Sequence, residues 1–451
     1  MITVLKFGGT SVGSAEAITR SAEIIARGDG GKAAVVSAMS GVTNQLVWFL
    51  ETEGANSDDV IAALTKKHTD VAKELLNGKI LKSFTTEFDK RIDALKDLLD
   101  DKDARNDPFF KDNISSQGER LSTLLLAHVL RSMGHESVAL TSEEAGICAT
   151  GPPESGTADL FKTTDGLMMN VKPLIMRGII PIITGFYGSN EDNKPLTFGR
   201  GGSDYSAAVI AYGLDADCLE IWTDVDGFMS ADPRAVPEAI KIDEMNFSEA
   251  AELAYFGAKV LHPRTIEPVR MKHIPLKVMN TFKPHAQGTI IHHMKKKNDD
   301  LLRSVAMKTD LSIITVSSSE IAYRPKMVAR IIDKIADAGV TLYAISTSLS
   351  TVALLIHNLD VKETLRHLNL LDQGDIERID VKSNMALICA VGDDLLARCG
   401  VSAEIFGAVR DAGANVELIS EGASDVSLNF VVPSGMALDV VRALHRKFVG
   451  E

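Results

Sequence analysis

The sequence predicts an α/β protein with a mainly parallel sheet covered by helices on both faces, followed by two ferredoxin-like (βαββαβ) modules. Two observations predict it: apolar strands alternate with amphipathic helices over residues 1–295, and the order then changes to βαββαβ. Six strand candidates carry the first part, namely 2–7, 33–37, 137–141, 179–184, 218–223 and 276–280. Helical stretches separate them, including 14–27, 119–133, 203–212 and 247–256. Sheets of this kind bind ligands at the carboxyl ends of their strands, so chemistry is sought in the loops that follow. Residues 56–107 are polar, with Leu95, Leu98 and Leu99 at helical spacing, and read as inserted helical cover without chemistry. The run Lys295-Lys-Lys-Asn-Asp-Asp300 reads as a solvated linker.

Beyond it, the first module runs strand 311–316, helix 326–338, strands 340–346 and 351–357, helix 361–370 and strand 376–381. The second runs strand 386–391, helix 403–412, strands 415–420 and 426–432, and helix 438–448. Ala338-Gly-Val-Thr-Leu-Tyr-Ala-Ile-Ser346 matches Ala412-Gly-Ala-Asn-Val-Glu-Leu-Ile-Ser420 in pattern and spacing. The second copy lacks its last strand, while a spare strand, 303–308, precedes the first. The expected division is therefore 1–295, a linker at 296–302, a first module at 310–382, and a second built from 303–309 and 383–451.

Composition narrows the function. The chain has 48 basic against 61 acidic residues, a net charge of −13, which argues against a nucleic-acid or anionic-membrane surface. An anionic ligand would need a locally basic pocket. No apolar run reaches membrane-spanning length, and the N-terminus enters a strand without a signal pattern. Cys148, Cys218, Cys389 and Cys399 show no metal-ligand spacing, so free thiols in a reduced, cytoplasmic chain are expected. His292-His293 reads as a solvated surface pair.

The first strand ends in Lys6-Phe-Gly-Gly-Thr-Ser11. A strand that breaks at two glycines and feeds a helix presents backbone N–H groups to phosphate oxygens, and Lys6 adds a mobile charge. Taken alone, a tight turn with a snorkelling lysine accounts for it equally well. Ser37-Ala-Met-Ser-Gly-Val-Thr-Asn44 offers small residues and the Thr43 hydroxyl, or simply a loop capped by Ser40. Gln117-Gly-Glu119 opens a helix, where Glu119 could complement the dipole or hold an ammonium group. Leu196-Thr-Phe-Gly-Arg-Gly-Gly-Ser-Asp204 carries the strongest signal. Three glycines around one arginine suit bidentate capture of a carboxylate or phosphate, and a purely structural loop would not need them. Trp222-Thr-Asp-Val-Asp-Gly227 and Phe256-Gly-Ala-Lys-Val-Leu-His-Pro263 add a strand end and a further lysine.

Together, Lys6–Ser11, Gly199–Asp204, Trp222–Gly227 and Phe256–Pro263 resemble the aspartate kinase (aspartokinase) family over nearly the whole chain. The resemblance implies a three-layer αβα amino-acid kinase domain followed by two ACT domains, in the monofunctional form without a homoserine dehydrogenase extension. It implies phosphorylation of L-aspartate by ATP, with Mg²⁺ carried by the nucleotide and no direct metal motif. This is the first step towards lysine, threonine, methionine and diaminopimelate. Lys6, Gly8 and Gly9 would hold the phosphates and the transition state, with Asp204 beside them. Arg200 would grip the α-carboxylate of aspartate, Glu119 its ammonium group and Thr43 the reacting carboxylate, with Ser203 in reach of substrate. Thr10, Thr223, Asp224, Met229, Arg234, Lys259 and Val260 match the family's nucleotide positions, Met229 standing where a tyrosine is frequent.

The family's ACT domains pair between subunits, which implies a homodimer or homotetramer, and bind an amino-acid effector. Here Lys326-Met327, Tyr343 and Ser348-Leu349 depart from the lysine-sensing pattern, so weak or absent control by lysine is expected, with threonine or no strong effector instead. The competing readings are an amino-acid sensor on an inactive kinase domain, and a kinase for another acidic substrate such as glutamate or a nucleoside monophosphate.

Overall fold

A computed structural model describes residues 1–257, 260–294, 301–319, 321–371, 376–393, 395, 398–421 and 424–449. Residues 296–300 of the linker expected at 296–302, and Lys259, lie outside them. The chain forms two compact units. The first comprises Met1–Phe228, Asp243–Phe247 and Val260–Met294; the second comprises Met229–Ile242, Ser248–Lys259 and Lys295–Glu451.

The first unit holds an eight-stranded sheet. Its order is Glu244–Asn246, Thr289–His292, Leu276–Asn280, Cys218–Thr223, Ile2–Phe7, Gly31–Val36, Ile180–Thr184 and Ser137–Leu140. Every pairing is parallel except that of Leu276–Asn280 with Thr289–His292. Val4–Phe7 and Ala33–Val36 are buried without alternation, as strands covered on both faces must be. Two short strands at one end of the sheet, Glu244–Asn246 at its edge and Thr289–His292 beside it, and the hairpin Tyr187–Ser189 with Pro195–Thr197 were not anticipated; segments of three or four residues carry too little periodicity. Of the two adjacent histidines, His292 approaches Glu244, and the ring of the exposed His293 lies 4.9 Å from that of His273.

The inserted residues form a helical hairpin, Ser57–Leu75 and Gly78–Asp100. Asn56 caps its first helix by accepting the Asp58 N–H. Val60, Leu64, Phe84, Phe88, Leu95 and Leu99 turn inward and join the apolar core that also contains Leu124–Leu126 of the helix Gln117–Ser132. The hairpin is part of the main core.

In the second unit, one six-stranded sheet runs Ala344–Thr347, Thr351–His357, Ser304–Ser317, Arg378–Val391, Ser427–Pro433 and Leu418–Ser420. Two fourteen-residue strands are common to both βα repeats. Ser304–Lys308 pairs with Leu387–Val391, whereas Leu311–Ser317 pairs with Thr351–His357 and with the first half of Arg378–Val391. The sequence suggests a break in each long strand at Thr309-Asp310 and Ser383-Asn384. The structure instead carries both strands through, with Asp310 (φ 62°) and Asn384 (φ 61°) taking left-handed conformations beside a register shift.

The repeated Ala-Gly pairs end the helices Pro325–Asp337 and Val401–Asp411 in the same way. Gly339 (φ 65°) and Gly413 (φ 77°) turn the chain back, and the next N–H in each reaches a carbonyl five residues earlier. That exit occupies residues 340–343, so the strand expected at 340–346 is shortened to Ala344–Thr347. Ile331, Ile335 and Leu368 pack on Ile314, Val352 and Leu354, and Ile405, Val409 and Val440 on Ile388 and Phe430, giving each helix pair its own core.

Candidate active site

The strand Ile2–Phe7 lies where the order of the first sheet reverses, with Gly31–Val36 on one side and Cys218–Thr223 on the other. In open parallel sheets that position opens a crevice beyond the carboxyl ends. Gly8 and the short 3₁₀ turn Gly9–Val12 follow directly at that end of the strand. A Cβ on Gly9 would lie 2.9 Å from the Ala38 carbonyl oxygen, so only glycine permits this approach of two loops. Thr10 is exposed, whereas Ser11 is buried and bonded to Thr281. Lys6 is 8 % exposed, and its ammonium nitrogen lies 2.5 Å from Asp204 Oδ1. A Cβ on Gly8 would be 3.5 Å from that nitrogen, which places the cation over the glycine turn.

Asp204 sits in the first turn of the helix Gly202–Leu214, after the glycine loop. Gly199 (φ 70°) and Gly201 (φ 73°) occupy the left-handed region. A Cβ on Gly201 would come 2.3 Å from that of His262. Arg264 donates to the Phe198 and Gly156 carbonyls, both at 2.9 Å, with its guanidinium 4.5 Å from the Tyr205 ring centre. The His262–Arg264 segment therefore supports the glycine loop, a role that depends on a contact with a distant loop and has no signal in its own sequence. Arg200 is exposed at the loop tip, and no carboxylate among the described residues pairs with it. Gly201→Ala is expected to destabilise the protein by about 1–3 kcal/mol through left-handed strain and overlap with His262. An unchanged Tm in a thermal melt would contradict this.

Opposite lies the loop between Gly31–Val36 and the helix Val42–Glu51. Ser40 is not the cap expected from the sequence: Gly41 (φ 83°) occupies that position, and no side chain bonds the helix start. The Ser40 N–H instead reaches the Gly9 carbonyl at 3.2 Å, tying this loop to the glycine turn. Met39 N–H donates to Ser122 Oγ at 3.0 Å. Glu119, in the first turn of Gln117–Ser132, is 3 % exposed. Burial pushes its carboxyl up to about 8, against hydrogen bonds from the Ala38 and Glu119 N–H groups and the opposing field of Lys6. Its Oε2 has no hydrogen-bond partner.

Lys6, Thr43, Arg200, Ser203 and Asp204 line one cavity of about 460 Å³. Glu119 lies outside its lining. Val47, Glu154 and Phe186, which no motif in the sequence marks, line it as well, together with Ser37, Ser115 and Thr197. Phe186 follows the strand Ile180–Thr184, so the rule that directed attention to other strand ends would have found it.

Thr223 ends the strand Cys218–Thr223, its hydroxyl 3.2 Å from the exposed Asp224 carboxylate. Val260 is half-buried in the first unit. Met229 and Arg234 belong to the second unit, where Met229 bridges to Lys241 and Arg234 is bound to the Asp232 carboxylate at 2.6 Å.

A model of the amino acid kinase family matches residues 1–280, and one of the ACT domain matches residues 388–448. The lysine-sensitive aspartokinase 3 of Escherichia coli (strain K12) is 32% identical, over 98% of this chain and 98% of its own. The chloroplastic bifunctional aspartokinase/homoserine dehydrogenase 2 of Arabidopsis thaliana is 33% identical over 99% of this chain, which spans only 51% of that relative's length. The crystal structure of E. coli aspartokinase III in complex with aspartate and ADP matches with a TM-score of 0.84 at 31% identity, covering 99% of both chains.

Proposed function

We infer the reaction from one premise: the chain belongs to the amino acid kinase family and, within it, to the aspartokinases. It is an ATP-dependent kinase that converts L-aspartate to 4-phospho-L-aspartate, with regulation through its ACT region. The observation that supports the cavity as the reaction site is the convergence of Lys6, Thr43, Arg200, Ser203 and Asp204 on it.

The side-chain carboxylate of aspartate is already ionised at neutral pH, so it needs no general base. One of its oxygens bonds to the γ-phosphorus as the bond to the β-phosphate oxygen breaks, and ADP departs. Catalysis reduces to holding two anions in line and neutralising charge on the moving group. Lys6 and the N–H groups of Gly8 and Gly9 receive that charge, and Asp204 fixes the ammonium over the turn. Arg200 takes the α-carboxylate and Thr43 orients the reacting one. Ser203 lies at the same wall, while Thr10, Thr223, Asp224, Met229, Arg234, Lys259 and Val260 are proposed for the nucleotide. A Mg²⁺ ion carried by the nucleotide would neutralise phosphate charge and keep most of its waters, with Ser203 and Asp204 in reach of that shell.

Glu119, with its unpartnered oxygen, is the proposed partner of the aspartate ammonium group. That partner must be ionised, and its carboxyl titrates near 8. Affinity for aspartate is therefore expected to rise with pH by up to about tenfold per unit below that value and then level off. Glu119→Gln abolishes the slope; a wild-type KM for aspartate independent of pH in this range would refute the assignment.

We propose the domain limits 1–295, 310–382, and 303–309 with 383–451, assembly as a homodimer or homotetramer through the ACT domains, and a cytoplasmic location, the last in keeping with the free thiols. The effector is proposed to be threonine, or none of strength, with lysine weak. The ammonium of Lys308 lies 4.4 Å from the ring centre of Tyr343, so the neighbourhood of Tyr343 carries a cation, which disfavours a cationic effector there. ADP release assayed with L-aspartate, L-glutamate or UMP, with lysine or threonine added, tests these readings. Absence of aspartate-dependent ADP would overturn the reaction, and tight lysine inhibition would overturn the effector assignment.

A further inference from the structure

The helical hairpin formed by residues 57–100 supplies no group to the reaction, yet two of its basic side chains reach backbone carbonyls beside reacting loops. Lys67 donates from its ammonium to the Ser40 carbonyl. Arg91 donates to the Arg120 carbonyl at 2.5 Å, one residue from Glu119. We propose that the hairpin braces the aspartate-side loops, with Lys67 a positioning residue that acts through the Ser40 peptide. The inference rests on the aspartate reading of the cavity.

The Ser40 peptide is a junction. Its N–H is committed to the Gly9 carbonyl of the phosphate turn, and its own carbonyl is committed to Lys67. Three residues further on is Thr43, which lines the cavity. Local support for this turn is one backbone bond, from the Val42 N–H to the Met39 carbonyl at 3.0 Å, and the helix begins at a left-handed glycine without a side-chain cap. Apolar packing of Val42, Leu46 and Phe49 with Val60 and Leu64 holds the two helices in one core, but such contacts are non-directional. A charge-assisted hydrogen bond to one carbonyl supplies the direction that packing lacks. Lys66, the next residue back, is exposed and pairs with Asp70 on its own helix, so the sequence contains its own control.

The test compares Lys67→Met, Lys67→Arg and Lys66→Met by steady-state kinetics and by hydrogen exchange of the amides at residues 38–44. Lys67→Met keeps the aliphatic stem and loses the cation. It is expected to raise the KM for aspartate about tenfold, as a small misplacement of a positioning group does, and to speed exchange at residues 38–44 without shifting Tm. Lys67→Arg recovers most of both, and Lys66→Met behaves as wild type. Wild-type kinetics and exchange in Lys67→Met would overturn the proposal. So would an equal effect of Lys66→Met, or a loss that follows Tm and is not rescued by arginine. A wild-type chain lacking aspartate-dependent ADP release would defeat the reaction assignment instead, and the exchange arm would still decide whether Lys67 holds the loop.

Discussion

Lys6→Met is expected to lower kcat by about a hundred- to a thousandfold, the cost of removing one preorganised donor from a developing charge. The geometry makes the loss specific. The ammonium is held over the Gly8 turn by Asp204 at 2.5 Å, in a site too enclosed for water to replace it freely. Methionine fills much the same volume, so the strand should keep its packing, but the Asp204 carboxylate loses its partner. Some loss of stability will accompany the kinetic defect, because a charge that is mostly buried is left uncompensated. Asp204→Asn separates the two effects: the lysine stays but is less firmly placed, and kcat falls by less than in Lys6→Met. Single-turnover phosphoryl transfer is the deciding measurement, since it isolates chemistry from product release. A kcat for Lys6→Met within a few-fold of wild type would remove Lys6 from the reaction.

Arg200→Lys should leave the phosphoryl-transfer groups intact and act on aspartate binding. A guanidinium receives a carboxylate through two parallel hydrogen bonds, whereas an ammonium offers a point charge. Losing that geometry costs about 1.5–3 kcal/mol, or roughly ten- to a hundredfold in the KM for aspartate. Two features support a ligand-binding role for Arg200. No carboxylate among the described residues pairs with it, and its loop is held from below by Arg264 and by the fit of Gly201 against His262. A loop so anchored at its base presents the arginine without needing the arginine to hold it. An unchanged KM for aspartate would exclude this role.

Where the sequence was legible, one residue type in one pattern had one physical cause. Ile2–Phe7, Cys218–Thr223 and Leu276–Asn280 appear at the anticipated residues, because short apolar runs closed by glycine or polar residues have few alternatives. The two glycine-rich turns stood out for the same reason: positive φ and close backbone approach leave a record in glycine. Less legible were effects that depend on contacts between distant residues. The sequence of Ser37–Asn44 gives no hint that Ser40 bonds Gly9 rather than capping its own helix. Nor could spacing alone indicate that His262 and Arg264 serve the glycine loop. The polar residues near Asp310 and Asn384 resembled strand ends because only pairing on both sides shows that the strands continue.

That continuity affects how the protein must be made. Ser304–Lys308 leaves the ribosome long before Leu387–Val391, its partner in the sheet. Until the later strand emerges, this early segment presents open backbone groups and apolar side chains such as Val305, and an intervening repeat must form while it waits. The sheet can close only after Arg378–Val391 has been synthesised, with Ser427–Pro433 following. A chain stalled or truncated between the two long strands would therefore expose an unpaired edge, so completion of synthesis is itself a step in protecting the regulatory half from aggregation.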